Sequence, residues 1–172
     1  SGIDALLRGK SEVPKWVINL RFMATCMLTL TFVVVLTVLA PAAGEHGYYN
    51  MLLAGSTLFS HFLCPVVAIL TFCFLEAPAL GNWKQSFIGF APTVVYGTVA
   101  IICNILRVLE GPYFFLRVLD QPVWASILWV IVIFGINWLM CFGIQKLAQT
   151  MRRVYDNIFR TQKLHDCSRV PI

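Results

Sequence analysis

Four stretches of the chain run without Asp, Glu, Lys or Arg for long enough to cross a hydrocarbon core of about 30 Å. They are Phe22 to Gly44, His46 to Leu75, Gln85 to Leu106 and Gln121 to Gln145. The pattern predicts an all-α fold, a polytopic transmembrane helix bundle of four spans. The loop Pro41 to Tyr49 is short, carries Gly44 and Gly47, and closes on Tyr48 and Tyr49, an aromatic pair suited to a membrane boundary. Spans one and two are therefore expected as an antiparallel hairpin. The connection Glu76 to Ser86 holds Pro78, Gly81 and Trp83, so spans two and three are also expected as neighbours.

Between Arg107 and Pro122 the chain mixes charge, aromatics and proline. It is too polar to span and too apolar to float freely, and is expected as a short interfacial segment folded over the mouth of the bundle as a lid. Residues 1–16 read as an interfacial lead-in with an apolar patch (Ile3, Leu6, Leu7), broken by Pro14 and followed by Trp16 at headgroup depth. Residues 17–145 form the four-helix transmembrane domain. Residues 146–172 form a basic tail, in which Leu147, Met151, Val154, Tyr155 and Ile158 recur at helical spacing and continue the last helix to about Arg160. The end, Val170-Pro171-Ile172, is expected to fray.

Composition agrees: the 172 residues are 59% hydrophobic and 12% charged, against about 25% charged in a soluble domain. Basic residues set the orientation, because short loops rich in Lys and Arg stay cytoplasmic. Arg8, Lys10, Lys15 and Arg21 precede span one, Lys84 lies between spans two and three, and Lys146, Arg152, Arg153, Arg160, Lys163 and Arg169 follow span four. Both termini are expected in the cytoplasm. This asymmetry accounts for the net charge of +5 through anionic lipid headgroups, so no nucleic-acid partner is expected. The Ser1-Gly2 start reads as a cleavage scar, so the natural chain is expected to begin elsewhere. Five of the six cysteines lie within spans and Cys167 lies in the tail, which predicts reduced thiols and no structural disulfide. His61 with Cys64 supplies two potential ligands where zinc takes about four, so neither a metal nor a cofactor is expected.

The chemistry is expected to centre on His61. Pro65 has no N–H, so the carbonyl of His61, four residues earlier, loses its helical partner beside an ionisable ring in an apolar span. Such a group is a functional-site hypothesis by default. Counting from the span ends places His61, Thr29 and Tyr96 near the midplane, with Asn137 close by, as a polar layer whose members face one another. Threonines in a helix ordinarily bond their own carbonyls four residues back. One becomes a nucleophile when a neutral histidine takes its proton and donors steady the oxyanion. Asn104, Arg107 and Glu110 share one helical face, either as an ion pair or with Arg107 holding the carboxylate or headgroup of an amphiphile. His46 and His165 are expected at the surface.

The segments His61-Phe62-Leu63-Cys64-Pro65 and Gly111-Pro112-Tyr113-Phe114-Phe115-Leu116 resemble the androgen-induced membrane hydrolase family and its bacterial branch. The resemblance covers roughly residues 16–145. It implies a bundle in a bacterial plasma membrane that hydrolyses lipid esters with an intramembrane threonine and histidine, His61 matching the family histidine by its place before Pro65. The family threonine lies on a helix earlier than span one here. Three alternatives follow: the first two helices are missing, Thr25 or Thr29 substitutes, or the chain is not a hydrolase. The candidate catalytic residues are thus His61, Thr25 and Thr29, with Tyr96, Asn104, Arg107, Tyr113 and Asn137 as substrate-binding candidates. The competing readings are a non-catalytic module that binds or transports a lipid or small amphiphile, and a structural subunit that packs against partner helices or its own copies.

Overall fold

A computed structural model describes residues 13–109 and 113–167, apart from the side chains of Phe159 and of 162–167. The expectations for Ile3, Leu6 and Leu7, for Glu110, for the His165 and Cys167 side chains, and for Val170 to Ile172 lie outside the described residues. Within them the chain is helical with no strand, and four helices are long and apolar enough to cross a membrane. These are α1 (Lys15–Ala42), α2 (Leu58–Glu76), α3 (Trp83–Ile105) and α4 (Val123–Cys167). Large apolar side chains such as Val67, Leu70, Val95, Val99, Ile131 and Leu139 point outward, as they do where lipid is the solvent. The chain is a multi-pass membrane protein.

Lipid is as apolar as the helix surfaces, so burying apolar area does not hold such helices together; close packing and hydrogen bonds do. α3 shows the first. Its buried positions, Ser86, Gly89, Thr93, Gly97, Ala100 and Asn104, form a single stripe of small side chains. A Cβ on Gly89 would lie 2.7 Å from Cys26 Sγ and 2.9 Å from the Phe22 ring, and one on Gly97 would lie 3.0 Å from the Phe134 ring. Hydrogen there lets α1 and α4 close on α3.

α1 is central. It packs against α2 on one side and α3 on the other, and α4 rests on α3, α1 and the last turns of α2. α2 and α3 do not pack side by side, contrary to the expectation from their short connection. That connection runs non-helically across the end of the bundle, where Gln145 and Gln149 of α4 bond the carbonyls of Leu80, Gly81 and Asn82. Lys84, Lys146, Arg152 and Arg153 lie toward this end, called the basic end below.

Two prolines shape the wide turns. Ala40 N–H reaches Val35 O and Cys64 N–H reaches Phe59 O, each five residues back, immediately before Pro41 and Pro65. A proline leaves the carbonyl four residues earlier without its usual donor, and a wider turn re-pairs neighbouring groups around the gap. The second apolar run is divided: Tyr49–Leu53 forms a separate helical turn, Gly55 takes φ +54°, and α2 begins beyond it. His61 therefore lies in the first turns of α2 rather than near its middle. α4 continues helical to Cys167, further than the apolar spacing indicated.

Candidate binding cavity

In the half of the bundle away from the basic end, α1, α3 and α4 diverge around a cavity of about 110 Å³. Leu30, Val34 and Leu39 of α1, Thr93, Tyr96 and Gly97 of α3, and Trp129, Ile133 and Phe134 of α4 line it. None of the described residues lining it carries a formal charge. Its size approaches that of the apolar cavity of about 150 Å³ that admits benzene. Tyr96 lines it while remaining half exposed.

The cavity is roofed by the segment 113–118, where the sequence predicted a lid. Phe114–Leu116 forms one 3₁₀ turn whose Phe115 is buried against Leu30 and Val34. Tyr113 and Phe115 stack at 5.2 Å, and Phe115 and Phe114 both meet Trp129, at 5.5 and 5.6 Å. Asn104 Oδ1 accepts Val118 N–H at 2.9 Å and Gln121 Nε2 donates to Phe115 O at 3.1 Å. A buried amide thus ties the roof to the last turn of α3. Burial raises the Tyr113 phenol pKa, and the nearby Tyr96 phenol raises it further, so Tyr113 stays a neutral hydrogen-bond donor across the physiological range.

The structure brings Tyr96 and Tyr113 together at this cavity, and Asn104 serves it by holding the roof. The other candidates lie apart. Arg107 is beyond the end of α3: it adopts φ +54°, Arg107 N–H bonds Asn104 O and Val108 N–H bonds Cys103 O, the pairing that ends a helix on a left-handed residue. Arg107 therefore does not share a helical face with Asn104. Asn137 is fully buried one turn below Ile133, accepts the Cys141 thiol at 3.6 Å, and leaves Nδ2 unpaired.

His61 bonds backbone. Its Nδ1 lies 3.1 Å from Met51 O, and because a carbonyl only accepts, Nδ1 is the donor and Nε2 takes no part in this bond. This bond fastens the Tyr49–Leu53 turn to α2. Thr25 donates to Arg21 O at 2.9 Å and Thr29 to Thr25 O at 2.7 Å, the ordinary behaviour of helical threonines. The ring pairs Phe22–Phe72 and Phe32–Phe62, each at 5.8 Å, fix the antiparallel register and set His61 level with Val33. At a rise of about 1.5 Å per residue, Thr29 is offset axially by about 6 Å and Thr25 by about 12 Å. The expected midplane layer does not assemble, because Gly55 starts α2 late and α2 faces α1 rather than the helix bearing Tyr96.

Two features escaped the sequence. At the basic end, Gln145 Oε1 accepts the Ser86 hydroxyl at 2.5 Å while its Nε2 donates to Gly81 O at 3.0 Å and Asn82 O at 2.6 Å. Beside it Arg21 bonds Glu76 at 3.0 Å and Thr71 at 2.6 Å. Deeper, Cys26, Cys73 and Cys141 share one buried cluster with Phe22 and Phe72. Among the described residues no group of three or more His, Cys, Asp or Glu is arranged to hold a metal ion. No protein-family model, curated protein or solved structure matches the chain.

Proposed function

We propose that this is a membrane-embedded binding module that holds a small uncharged amphiphile, or the end of an apolar tail, in the cavity between α1, α3 and α4. The observation carrying this reading is an apolar, uncharged cavity whose uncommitted hydroxyls, among the described residues, are those of the two tyrosines of its wall and roof. Ligand sites commonly combine apolar walls with a few polar groups that fix orientation. The resemblance implies a bacterial plasma membrane as host, and the Lys and Arg distribution favours the basic end and both termini in the cytoplasm.

Thermal unfolding of the purified protein against a series of short alcohols tests the reading. A ligand at 100 times its Kd adds about 2.7 kcal/mol, or roughly 5–10 °C for a chain of this size. Val34→Phe, which fills the cavity, is expected to remove the shift. No stabilisation by any member, in a protein that unfolds cooperatively, refutes binding.

One observation supports the second reading, the lipid-ester hydrolase implied by the resemblance: the His61 ring is oriented through Nδ1 on Met51 O, with Nε2 left out of that bond. That reading requires release of free acid from fatty-acyl esters, abolished in His61→Ala. Equal background release by both proteins excludes it.

A further inference from the structure

Resting on the cavity reading, we infer that the ligand is a planar ring bearing a hydrogen-bond acceptor, such as an aryl ketone, rather than a plain acyl chain. Four residues lining the cavity carry hydroxyls, and they divide into two kinds. Thr31 donates to Met27 O at 3.1 Å and Thr93 to Met27 Sδ at 3.2 Å, so both are committed within the protein. Among the described residues neither Tyr96 nor Tyr113 has a hydrogen-bond partner for its phenol. Two unspent donors at the wall and roof of one cavity are available to an acceptor on the guest, as the few polar groups of an apolar site commonly fix a ligand's orientation. With no charge on the lining, a carbonyl suits the site and a carboxylate does not.

The walls select the shape. Tyr113 and Phe115 are stacked at 12° between planes, and Phe115 continues to Trp129, so the roof is an aromatic layer to which one more flat ring adds by offset stacking or edge contact. On the opposite side Phe134 lies against Gly97, where hydrogen in place of a side chain leaves its ring room beside α3. The volume of about 110 Å³ is on the scale of a single ring, and the half-exposed Tyr96 marks the side toward which its substituent is directed.

Four probes with the same number of carbons separate ring from acceptor: acetophenone, ethylbenzene, 2-octanone and octane. Their affinities for the full chain in detergent micelles are measured by ligand-observed NMR, with competition by acetophenone to define the site. Acetophenone is expected to bind at least tenfold tighter than the other three. Tyr96→Phe with Tyr113→Phe, which keeps the rings, is expected to bring acetophenone down to the affinity of ethylbenzene and leave ethylbenzene unchanged. Equal binding of 2-octanone and acetophenone, or an acetophenone affinity indifferent to loss of both hydroxyls, overturns the ring-and-acceptor inference while the cavity reading stands. Failure of all four probes, in protein that still melts cooperatively, overturns both.

Discussion

Replacing Gln145 by Leu removes the most connected buried side chain of the basic end while keeping its approximate size. Gln145 is fully buried, accepts the Ser86 hydroxyl, and donates to the carbonyls of Gly81 and Asn82. Each hydrogen bond in a membrane bundle contributes on average about 0.6 kcal/mol, so three together contribute about 2 kcal/mol. The substitution also leaves the fully buried Ser86 hydroxyl without its acceptor, at a further cost of about 1–3 kcal/mol. Gly81 and Asn82 are exposed, and water replaces the amide at their carbonyls. The expected loss is therefore about 3–5 kcal/mol, measured by reversible unfolding in mixed micelles of increasing SDS content. Gln149→Leu, which removes donation to carbonyls of the same exposed loop, is expected to cost about 0.5–1 kcal/mol. Adding Ser86→Ala to Gln145→Leu removes the orphaned hydroxyl and should recover part of the loss. A Gln145→Leu cost below about 0.5 kcal/mol, or a double variant weaker than Gln145→Leu alone, refutes this reasoning.

Gly89→Ala forces a methyl against Cys26 and Phe22 and is expected to destabilise by about 1–3 kcal/mol, whereas Gly135→Ala, which meets open space, is expected to stabilise by about 0.5–1 kcal/mol; the same SDS titration checks both. Arg107→Gly relieves a left-handed backbone at an exposed helix end and should raise stability by about 1 kcal/mol; a loss would assign the Arg107 side chain a role its position does not suggest. Because burial raises the Tyr113 phenol pKa above its ordinary 10.0, the stability linked to the neutral phenol is fully present below pH 10 and is lost as pH rises through the higher folded value. Ultraviolet titration of the protein against Tyr113→Phe should show one phenolate appearing later than that of free tyrosine, and an ordinary midpoint would contradict its burial.

The spans were legible because lipid demands long uncharged helices, and that demand is written residue by residue. The roof was legible for a related reason: Tyr113 to Leu116 is too aromatic to leave the bundle and too irregular to enter it. Gly55 hid in an uncharged run, so His61 was counted into a span that begins close beside it, and the expected layer with Thr29 and Tyr96 dissolved with that shift. Arg107 was misplaced because helices usually end on Gly or Asn in the left-handed conformation, and here an arginine takes that position. The Gln145 network and the cysteine cluster depend on which helices meet, information that spacing along one chain does not carry. Tyr96 and Tyr113 could be picked out as candidates, but their shared cavity became visible only when α1, α3, α4 and the roof were placed together.

Photoaffinity labelling with a diazirine-bearing acetophenone, mapped by mass spectrometry, locates a bound ring residue by residue. Adducts are expected to concentrate on cavity residues such as Leu30, Tyr96, Tyr113 and Trp129, to be suppressed by excess unlabelled acetophenone and to be absent in Val34→Phe. Adducts spread over lipid-facing residues such as Val95, Val99 and Ile131, insensitive to both competitor and variant, would contradict binding in the cavity.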